Sequence, residues 1–224
     1  MIPRRIHDLS QPVFTNCPQY PDTNPRPAHV ALFYTAAVQG VNKEIVTISS
    51  HTGTHCDAPY HFFDDGITID RVPLETYVGN AVILDLRAKQ PGSAIERTDI
   101  ESHGDRIGRD DIVLLNTGGG ARRANTAAFL TQYVYLSGEG AQWLADRGVK
   151  GVGIDAVSMG GYDDPATSGP PHRILLGSGV FIVEELFFPD EVMDGRARLF
   201  VAAPVKLQGC GGAWTRAALW EFAE

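Results

Sequence analysis

Residues 51–61, which read HTGTHCDAPYH, constrain the local fold more than any other part of this chain. They hold three histidines and one aspartate. Glycine and threonine disfavour a helix between His51 and His55, and Pro59 follows shortly afterwards. A helical metalloprotease motif would also need a glutamate directly after the first histidine, and this chain has a threonine there. We therefore predict an extended segment rather than a helix.

The spacing of these residues predicts a metal site. Alternate residues of an extended chain share a face, so the three histidines and Asp57 would point the same way. At their Cα atoms, His55 and Asp57 would lie roughly 7 Å apart, whereas His51 and His55 would lie roughly 13 Å apart. Gly53 can bend the chain between these two histidines, because glycine tolerates backbone angles that other residues avoid. Imidazole nitrogen and carboxylate oxygen are preferred ligands of divalent transition metals, so we predict His51, His55 and Asp57 as ligands.

The overall composition narrows the partners and the compartment. The 224 residues carry a formal charge of -8 and suit one globular domain over residues 1–224. An acidic chain gains no attraction to nucleic acid or anionic lipid, and its apolar stretches are far shorter than the roughly 20 residues of a membrane span. Cys17, Cys56 and Cys210 are odd in number and widely spaced, which predicts no disulfide framework. We predict a cytoplasmic protein with a small-molecule substrate and with no nucleic-acid or membrane partner.

Apolar runs rich in Val, Ile, Leu and Phe outnumber the helical signals. Eight strands are predicted, at residues 31–36, 43–49, 81–86, 111–115, 151–154, 180–184, 199–203 and 217–222. Residues 98–101 have the spacing of a capping box, Ser137 can cap a helix that ends at Gly148, and residues 172–176 suit one more turn. Many strands with few helices predict an α/β domain built on a sizeable mixed sheet.

Residues 51–62 also resemble a known family. Every fixed position is similar to the signature His-x-Gly-Thr-His-x-Asp-x-Pro-x-His of the cyclase-like metal-dependent hydrolases, which include bacterial kynurenine formamidase and isatin hydrolase. Shorter stretches extend the resemblance over nearly the whole chain, at residues 8–10, 116–118, 153–155, 172–176, 183–186 and 209–216. The resemblance implies a swivelling β/β/α fold and assembly as a homodimer or a larger homo-oligomer.

Departures from the family pattern concern the surroundings of the metal. Residues 118–120 lack the aromatic residue that often follows Thr-Gly in relatives, and residues 210–214 stand where relatives often carry Asp-Gly-Ser-Pro. Tyr20 occupies the place of an aromatic residue that precedes a proline. We therefore take Tyr20, together with Phe62 and Phe63, as candidates for the wall of the substrate pocket, and leave the substrate open.

The resemblance implies a particular set of metal ligands. In the formamidase branch two zinc ions share a bridging aspartate; His51, His55 and Asp57 would then hold the first ion, and Asp57, His172 and Glu184 the second. Isatin-type relatives use one Mn²⁺. Buried glutamates such as Glu184 are rare unless they are paired, and a metal is one natural partner. We predict one or two divalent ions per chain, Zn²⁺ or Mn²⁺, because these ligand types do not select between them.

His61 is predicted to be a general acid or base rather than a ligand. Three protein ligands are the usual number for a catalytic zinc with one position open to water, and a fourth would close the site. Imidazole titrates near neutral pH, and the family assigns its matching histidine to proton transfer.

These features predict a metal-dependent amidohydrolase acting on C–N bonds other than peptide bonds. A metal-bound hydroxide would attack the carbonyl carbon of a small amide, formamide or lactam, and His61 would protonate the leaving nitrogen. Hydrolysis of a lactone or a cyclic imide needs the same groups. The alternative from another class is a non-catalytic metal- or ligand-binding protein on this scaffold, against which an intact His61 argues.

Overall fold

The structure, a computed structural model that describes residues 2–222, contains thirteen strands among those residues. They are β1 (Arg5–Asp8), β2 (His29–Tyr34), β3 (Lys43–Thr47), β4 (His55–Asp57), β5 (Val78–Asp85), β6 (Ala94–Ile95), β7 (Ile112–Asn116), β8 (Tyr135–Leu136), β9 (Gly151–Ile154), β10 (Phe181–Glu184), β11 (Arg198–Val201), β12 (Gly212–Trp214) and β13 (Ala218–Glu221). Nine of them form one mixed sheet in the order β1-β13-β11-β5-β7-β9-β10-β4-β12, and two small ribbons pair β2 with β3 and β6 with β8. The predicted α/β class with a mixed sheet is confirmed.

Parallel strands make the centre of the sheet, where β5, β7, β9 and β10 run side by side. Every residue of β7, β9 and β10 is buried. Val113 and Leu115 belong to one apolar cluster and Ile112 and Leu114 to another, so the sheet has a core on each face. Strands covered on both faces are continuous apolar runs, which is why the sequence predicts this part of the sheet well.

The helices are α1 (Ala36–Gln39), α2 (Arg97–Glu101), α3 (Ala127–Leu130), α4 (Gly138–Arg147), α5 (Pro165–Ser168) and α6 (Pro170–Gly177). Helix α4 is capped as predicted: the Ser137 hydroxyl accepts the Gly140 N–H, and Gly148 ends the helix in a left-handed conformation. Helix α6 extends the turn predicted at residues 172–176 in both directions. Over residues 2–222, no helix combines the length and the apolar character needed to cross a bilayer.

The capping box of α2 lies two residues before its predicted place. Glu96 is the N-cap, and its partner is Asp99, whose carboxylate accepts the Glu96 N–H at 2.7 Å. Asp99 also binds the Lys89 ammonium at 2.7 Å. Glu101, predicted as the box partner of Thr98, instead pairs with Arg97 one turn back along the helix. Glu96/Asp99 and Thr98/Glu101 have the same spacing, and the contact of Lys89 with Asp99 favours the first pair as the capping box.

Each predicted strand corresponds to an observed strand, with small differences at the ends. Strands β1, β4, β6, β8 and β12 are absent from the eight predicted strands and have only two to four residues each, although β4 lies in the segment predicted to be extended. Such short strands carry too few residues for an alternating pattern to emerge. Two of them, β4 and β12, pair with each other at the edge of the sheet that carries the signature segment.

Residues 29–47, comprising β2, α1 and β3, form an arm that stands apart from the sheet. None of these residues is buried. Seven large apolar side chains are exposed on the arm, namely Leu32, Phe33, Tyr34, Val38, Val41, Ile45 and Val46. An isolated two-stranded ribbon is at best marginally stable in water, so this arm needs a surface to pack on.

Candidate functional site

The signature segment 51–61 folds as a turn, the strand β4 and a 3₁₀ turn at Pro59–His61. Gly53 lies in the first turn with φ of 70°, a left-handed conformation natural to glycine. A Cβ atom on Gly53 would also come within 2.7 Å of Val13 Cγ2. The predicted bend at Gly53 is confirmed, and it brings the rings of His51 and His55 to a centroid separation of 5.1 Å.

Strand β10 carries Glu184 to the signature segment. It runs antiparallel to β4, and Glu184 is the register partner of His55. Directly opposed residues project from the same face of a sheet, so Glu184 lies on the side of His55 and Asp57. All three side chains are buried.

Helix α6 supplies His172 from its first turn, which begins with two prolines. The His172 Nδ1–H donates to the Ser168 carbonyl at 3.0 Å, and Nε2 lies 2.9 Å from Glu184 Oε1. The ring of Phe62 stacks on the imidazole of His172 at a centroid distance of 4.6 Å. The ring orientation is therefore held by a backbone acceptor and an aromatic neighbour.

The five predicted ligand residues form one continuous cluster around Asp57. Asp57 Oδ1 lies 2.9 Å from His51 Nδ1 and 3.4 Å from His55 Nε2. His55 Nε2 is also 3.4 Å from Glu184 Oε2, and Glu184 in turn contacts His172. The structure thus brings together residues that are up to 133 positions apart in the chain, from His51 to Glu184.

The hydrogen bond at Nδ1 of His55 directs its other ring nitrogen at the carboxylates. The Nδ1–H donates to the Gly53 carbonyl at 2.8 Å. A carbonyl can only accept, so Nδ1 carries a proton, and Nε2 faces Asp57 and Glu184, where it can donate a second proton or bind a metal. Metal-binding histidines are typically oriented by such a bond from the other ring nitrogen.

Four buried polar atoms in the cluster make no well-aligned hydrogen bond within residues 2–222, although they lie close to one another. They are His51 Nδ1, His55 Nε2 and both carboxylate oxygens of Asp57. Buried polar atoms are nearly always paired, so several unpaired atoms at one point indicate a missing partner. Imidazole nitrogens with carboxylate oxygens are the donor set of Zn²⁺ and related ions, and the residues therefore fit a divalent metal.

The electrostatics of the cluster also favour a cation. Burial opposes ionisation of Asp57, yet the nearby His61 and His51 hold its pKa well below the usual value. Burial and the charge of Asp57 likewise oppose ionisation of Glu184, but His172 and His55 lower its pKa to about 2. Two buried carboxylates are therefore ionised together at neutral pH, which requires positive charge beside them. Against the effect of burial, these carboxylates raise the pKa of His55 well above its usual value and also raise that of His172, so either protonated imidazoles or a bound metal ion can supply that charge.

His61 borders the open side of the cluster. Its ring stacks on His51 at a centroid distance of 4.0 Å. Partial removal of water from the ring lowers the pKa of His61, against the attraction of Asp57, although the residue as a whole is exposed. The imidazole is therefore neutral near pH 7 and can either accept a proton or bind a metal.

Two groups of close ligand atoms share Asp57. One group comprises His51, Asp57 and His61, the other His55, Asp57 and Glu184, with the atoms of each group within 4.8 Å of one another. This division differs from the predicted one, which groups His51 with His55 and leaves His61 unbound. In the predicted grouping and in the observed one, Asp57 belongs to both sets of ligands, as a bridging carboxylate would. His61, in contrast, lies close enough to His51 and Asp57 to bind the same ion.

A cavity of about 560 Å³ opens onto the cluster. Tyr20 and Phe62 line it, together with His61, His172 and polar residues of the loop 19–26. Phe63, also predicted as a pocket residue, packs instead against the apolar core and close to Gly177. Phe62 and Phe63 follow the 3₁₀ turn, where successive side chains diverge, so only one of them reaches the cavity.

Two residues behind the cluster, Glu185 and Arg123, are not predicted from the sequence. Glu185, which is 1% exposed, accepts the Gly53 N–H at 3.2 Å and the Arg123 Nε–H at 2.7 Å. The sequence feature that could have indicated Glu185 is its position as a second acidic residue directly after Glu184, in a run of buried residues. Arg123 offers no such signal, because its partners are remote in the sequence.

Known proteins resemble this chain over most of its length. Residues 7–160 match the Cyclase family model. Kynurenine formamidase of Bacillus cereus is 30% identical over 214 residues, which cover 95% of each chain. Kynurenine formamidase of Paracidovorax citrulli is 32% identical over 220 residues, which cover 97% of each chain.

Solved structures share the architecture. A potential metal-dependent hydrolase with cyclase activity has a TM-score of 0.80 at 28% identity, and the match covers 98% of this chain and 99% of that one. Isatin hydrolase A from Labrenzia aggregata, bound to benzyl benzoate, has a TM-score of 0.86 at 24% identity over 98% and 94% of the two chains, a likeness in fold. With its complete signature and the family match over residues 7–160, this chain belongs to the Cyclase family.

Proposed function

We propose that this protein is a metal-dependent hydrolase that cleaves the C–N bond of a small amide, formamide or lactam. The observation that carries the proposal is that unpaired polar atoms of His51, His55 and Asp57 meet beside a cavity that His51, His61, His172 and Glu184 line. The kynurenine formamidases that it resembles over 95% or more of its length support an amide as the substrate class. Isatin hydrolases share its fold.

In this proposal His51, His55 and Asp57 hold one ion, and Asp57, His172 and Glu184 hold a second where two are bound. A bound divalent ion supplies two effects, polarisation of a carbonyl and a lower pKa for water. The chain's own contribution is positional. Backbone carbonyls of Gly53 and Ser168 orient the rings of His55 and His172, and the ionised carboxylates balance the charge of the cation.

His61 is the proposed proton carrier. It stands at the cavity side of the cluster, stacked on His51, and is neutral near pH 7. A neutral imidazole can take a proton at its free nitrogen and return it to the leaving nitrogen of the substrate. Tyr20 and Phe62 offer apolar faces to the substrate, and a cavity of about 560 Å³ is within the usual range for small-molecule sites.

The experiment is a hydrolysis screen with metal analysis on the same preparation. We expect the purified chain, stripped by a chelator and reloaded with Zn²⁺ or Mn²⁺, to hydrolyse members of a panel of formamides, cyclic amides, cyclic imides and lactones. Elemental analysis gives one or two ions per chain. A protein that binds metal but hydrolyses nothing in the panel would instead be the non-catalytic binder. Activity confined to lactones or cyclic imides would show that the substrate is not an amide, formamide or lactam.

We further propose that the protein is a homodimer in which a second copy covers the arm. The arm exposes seven large apolar side chains, and an isolated two-stranded ribbon with such a surface is not expected to be stable in water. The arm leads directly into Ser49 and His51 of the cavity wall, so the covering copy would lie beside the substrate entrance. Val30 and Val46 are register partners, so Leu32 and Val46 project from one face of the ribbon.

Charging that face should separate the copies. We expect wild-type protein to sediment as a dimer at micromolar concentration and the Leu32→Asp/Val46→Asp variant as a monomer, because a buried unpaired carboxylate is strongly disfavoured. Leu74→Asp is the matched control, since Leu74 is equally exposed (63%, against 59% for Leu32) but lies outside the arm. A monomeric wild type, or a doubly substituted protein that stays dimeric, would rule out the arm as the interface.

A cytoplasmic location completes the proposal. Cys17, Cys56 and Cys210 are free thiols, which a reducing compartment preserves.

A further inference from the structure

We propose that Glu185 and Arg123 are a positioning pair that holds the Gly53 turn and the cavity loop in one arrangement. This inference rests on the proposed function of the cluster. Within the described chain neither residue lines the cavity, and neither belongs to the two groups of close ligand atoms. We therefore expect them to act on the site chiefly through the segments that they bind.

The first segment is the turn that carries the histidines. Glu185 Oε1 accepts the Gly53 N–H, and the Glu185 carbonyl accepts the Thr54 hydroxyl at 2.6 Å. On its other side, the Gly53 carbonyl accepts the Nδ1–H of His55. A chain of hydrogen bonds thus runs from Glu185 through Gly53 to the ring that presents Nε2 to Asp57.

The second segment is the loop that walls the cavity. Arg123 donates through Nε to Glu185, through Nη1 to the Pro12 carbonyl at 3.0 Å and through Nη2 to the Pro18 carbonyl at 3.2 Å. Pro18 directly precedes Gln19 and Tyr20, which line the cavity. One guanidinium therefore ties the metal turn to the substrate wall, using the fixed fork geometry that only arginine has.

The backbone at Glu185 adopts a conformation that is unfavourable for glutamate. Glu185 has φ of 53°, in the left-handed region where glycine and asparagine are most at ease. Strained backbone persists where surrounding contacts over-determine it, and such positions cluster at functional sites. The contacts that over-determine Glu185 are those to Gly53, Thr54 and Arg123.

A buried ion pair could also serve folding alone, so the test must separate positioning from stability. Replacing both members avoids leaving a lone buried charge. The two informative variants are Arg123→Met/Glu185→Gln and Arg123→Met/Glu185→Met. They have side chains of similar length and the same backbone constraint at residue 185. They differ in whether residue 185 offers an oxygen to the Gly53 N–H.

Metal affinity and amide exchange are the readouts. We expect the Gln-containing variant to bind Zn²⁺ and Mn²⁺ nearly as tightly as wild type, and the Met-containing variant to bind roughly 10–100-fold more weakly, as is typical for the loss of an outer hydrogen bond to a metal site. In the metal-free protein, hydrogen exchange at the Gly53 amide should be faster in the Met variant than in the Gln variant. Both variants should show a raised KM, because both release the Pro12 and Pro18 carbonyls.

Equal metal affinity and equal Gly53 exchange in the two variants would overturn the positioning role. Should both double variants fail to fold, Arg123→Lys keeps the charge beside Glu185 but loses the fork. It should raise KM and speed amide exchange over residues 13–20 with metal affinity unchanged, and an unchanged KM and exchange would overturn the proposal. If wild type itself binds no metal, the proposed function fails, while exchange at Gly53 in the metal-free variants still decides whether the pair holds the turn.

Discussion

The Asp57→Asn variant is expected to lose both its metal and its hydrolytic activity while keeping its fold. Asp57 is the only residue shared by both groups of close ligand atoms, and its two oxygens are unpaired among residues 2–222. Asparagine has nearly the same shape but offers one neutral oxygen and an NH₂ group that cannot coordinate a cation. Loss of an outer-shell partner already weakens metal sites by about 10–100-fold, so loss of this carboxylate should exceed about 100-fold.

The metal-free protein should lose some stability but keep its fold. Burial opposes the ionised form of Asp57, but the attraction of His61 and His51 outweighs it and holds the pKa well below the usual value, so the ionised carboxylate stabilises the native state at neutral pH and a neutral amide gives that up. Metal binding stabilises a native state by about 2.7 kcal/mol when the free ion is at 100 times its Kd. We therefore expect Zn²⁺ or Mn²⁺ to raise the Tm of wild type and to leave the Tm of Asp57→Asn in place.

Asp65→Asn is the matched control, because Asp65 is an exposed carboxylate eight residues further along the chain. It should bind metal, respond in Tm and turn over like wild type. Retention of a stoichiometric metal ion by Asp57→Asn would contradict the central position given to this residue.

The sequence predicts those parts of the structure whose causes are local. The apolar runs at 112–116, 151–154 and 181–184 are buried on both faces, so continuous hydrophobicity is enough to mark them as strands. The cap at Ser137 and the stop at Gly148 depend on backbone groups within one turn. Gly53 is predicted because two histidines four residues apart cannot share an ion along an extended chain without a bend.

The remainder depends on contacts between distant segments. Strand β4 has three residues and is a strand because β10 and β12 pair with it on either side. The proximity of Glu184 to His55 follows from that register, and no spacing along the chain predicts it. For the same reason the pairing of Glu185 with Arg123 cannot be predicted, since 62 positions separate them.

The His61→Ala variant is expected to keep its metal and to lose most of its turnover. General acid–base groups typically contribute about 10²–10⁴-fold in rate, and kcat should fall by that amount. The ring of His61 lies on the cavity side of the cluster, stacked on His51, where it can meet the leaving nitrogen of a substrate. Because His61 also lies within 4.8 Å of ligand atoms on His51 and Asp57, a measurement of bound metal is needed to separate a role in proton transfer from a role as a ligand.

Bound metal and kcat must therefore be determined on one preparation, with His103→Ala as the control, since His103 does not line the cavity in the described chain. Metal retained with kcat reduced at least about 10²-fold assigns proton transfer to His61. If the metal is lost together with the side chain, His61 is a ligand, and the group His51, Asp57 and His61 is the first metal site. If metal and turnover both survive, another donor protonates the leaving nitrogen, because a histidine that neither binds metal nor moves a proton has no part in the chemistry.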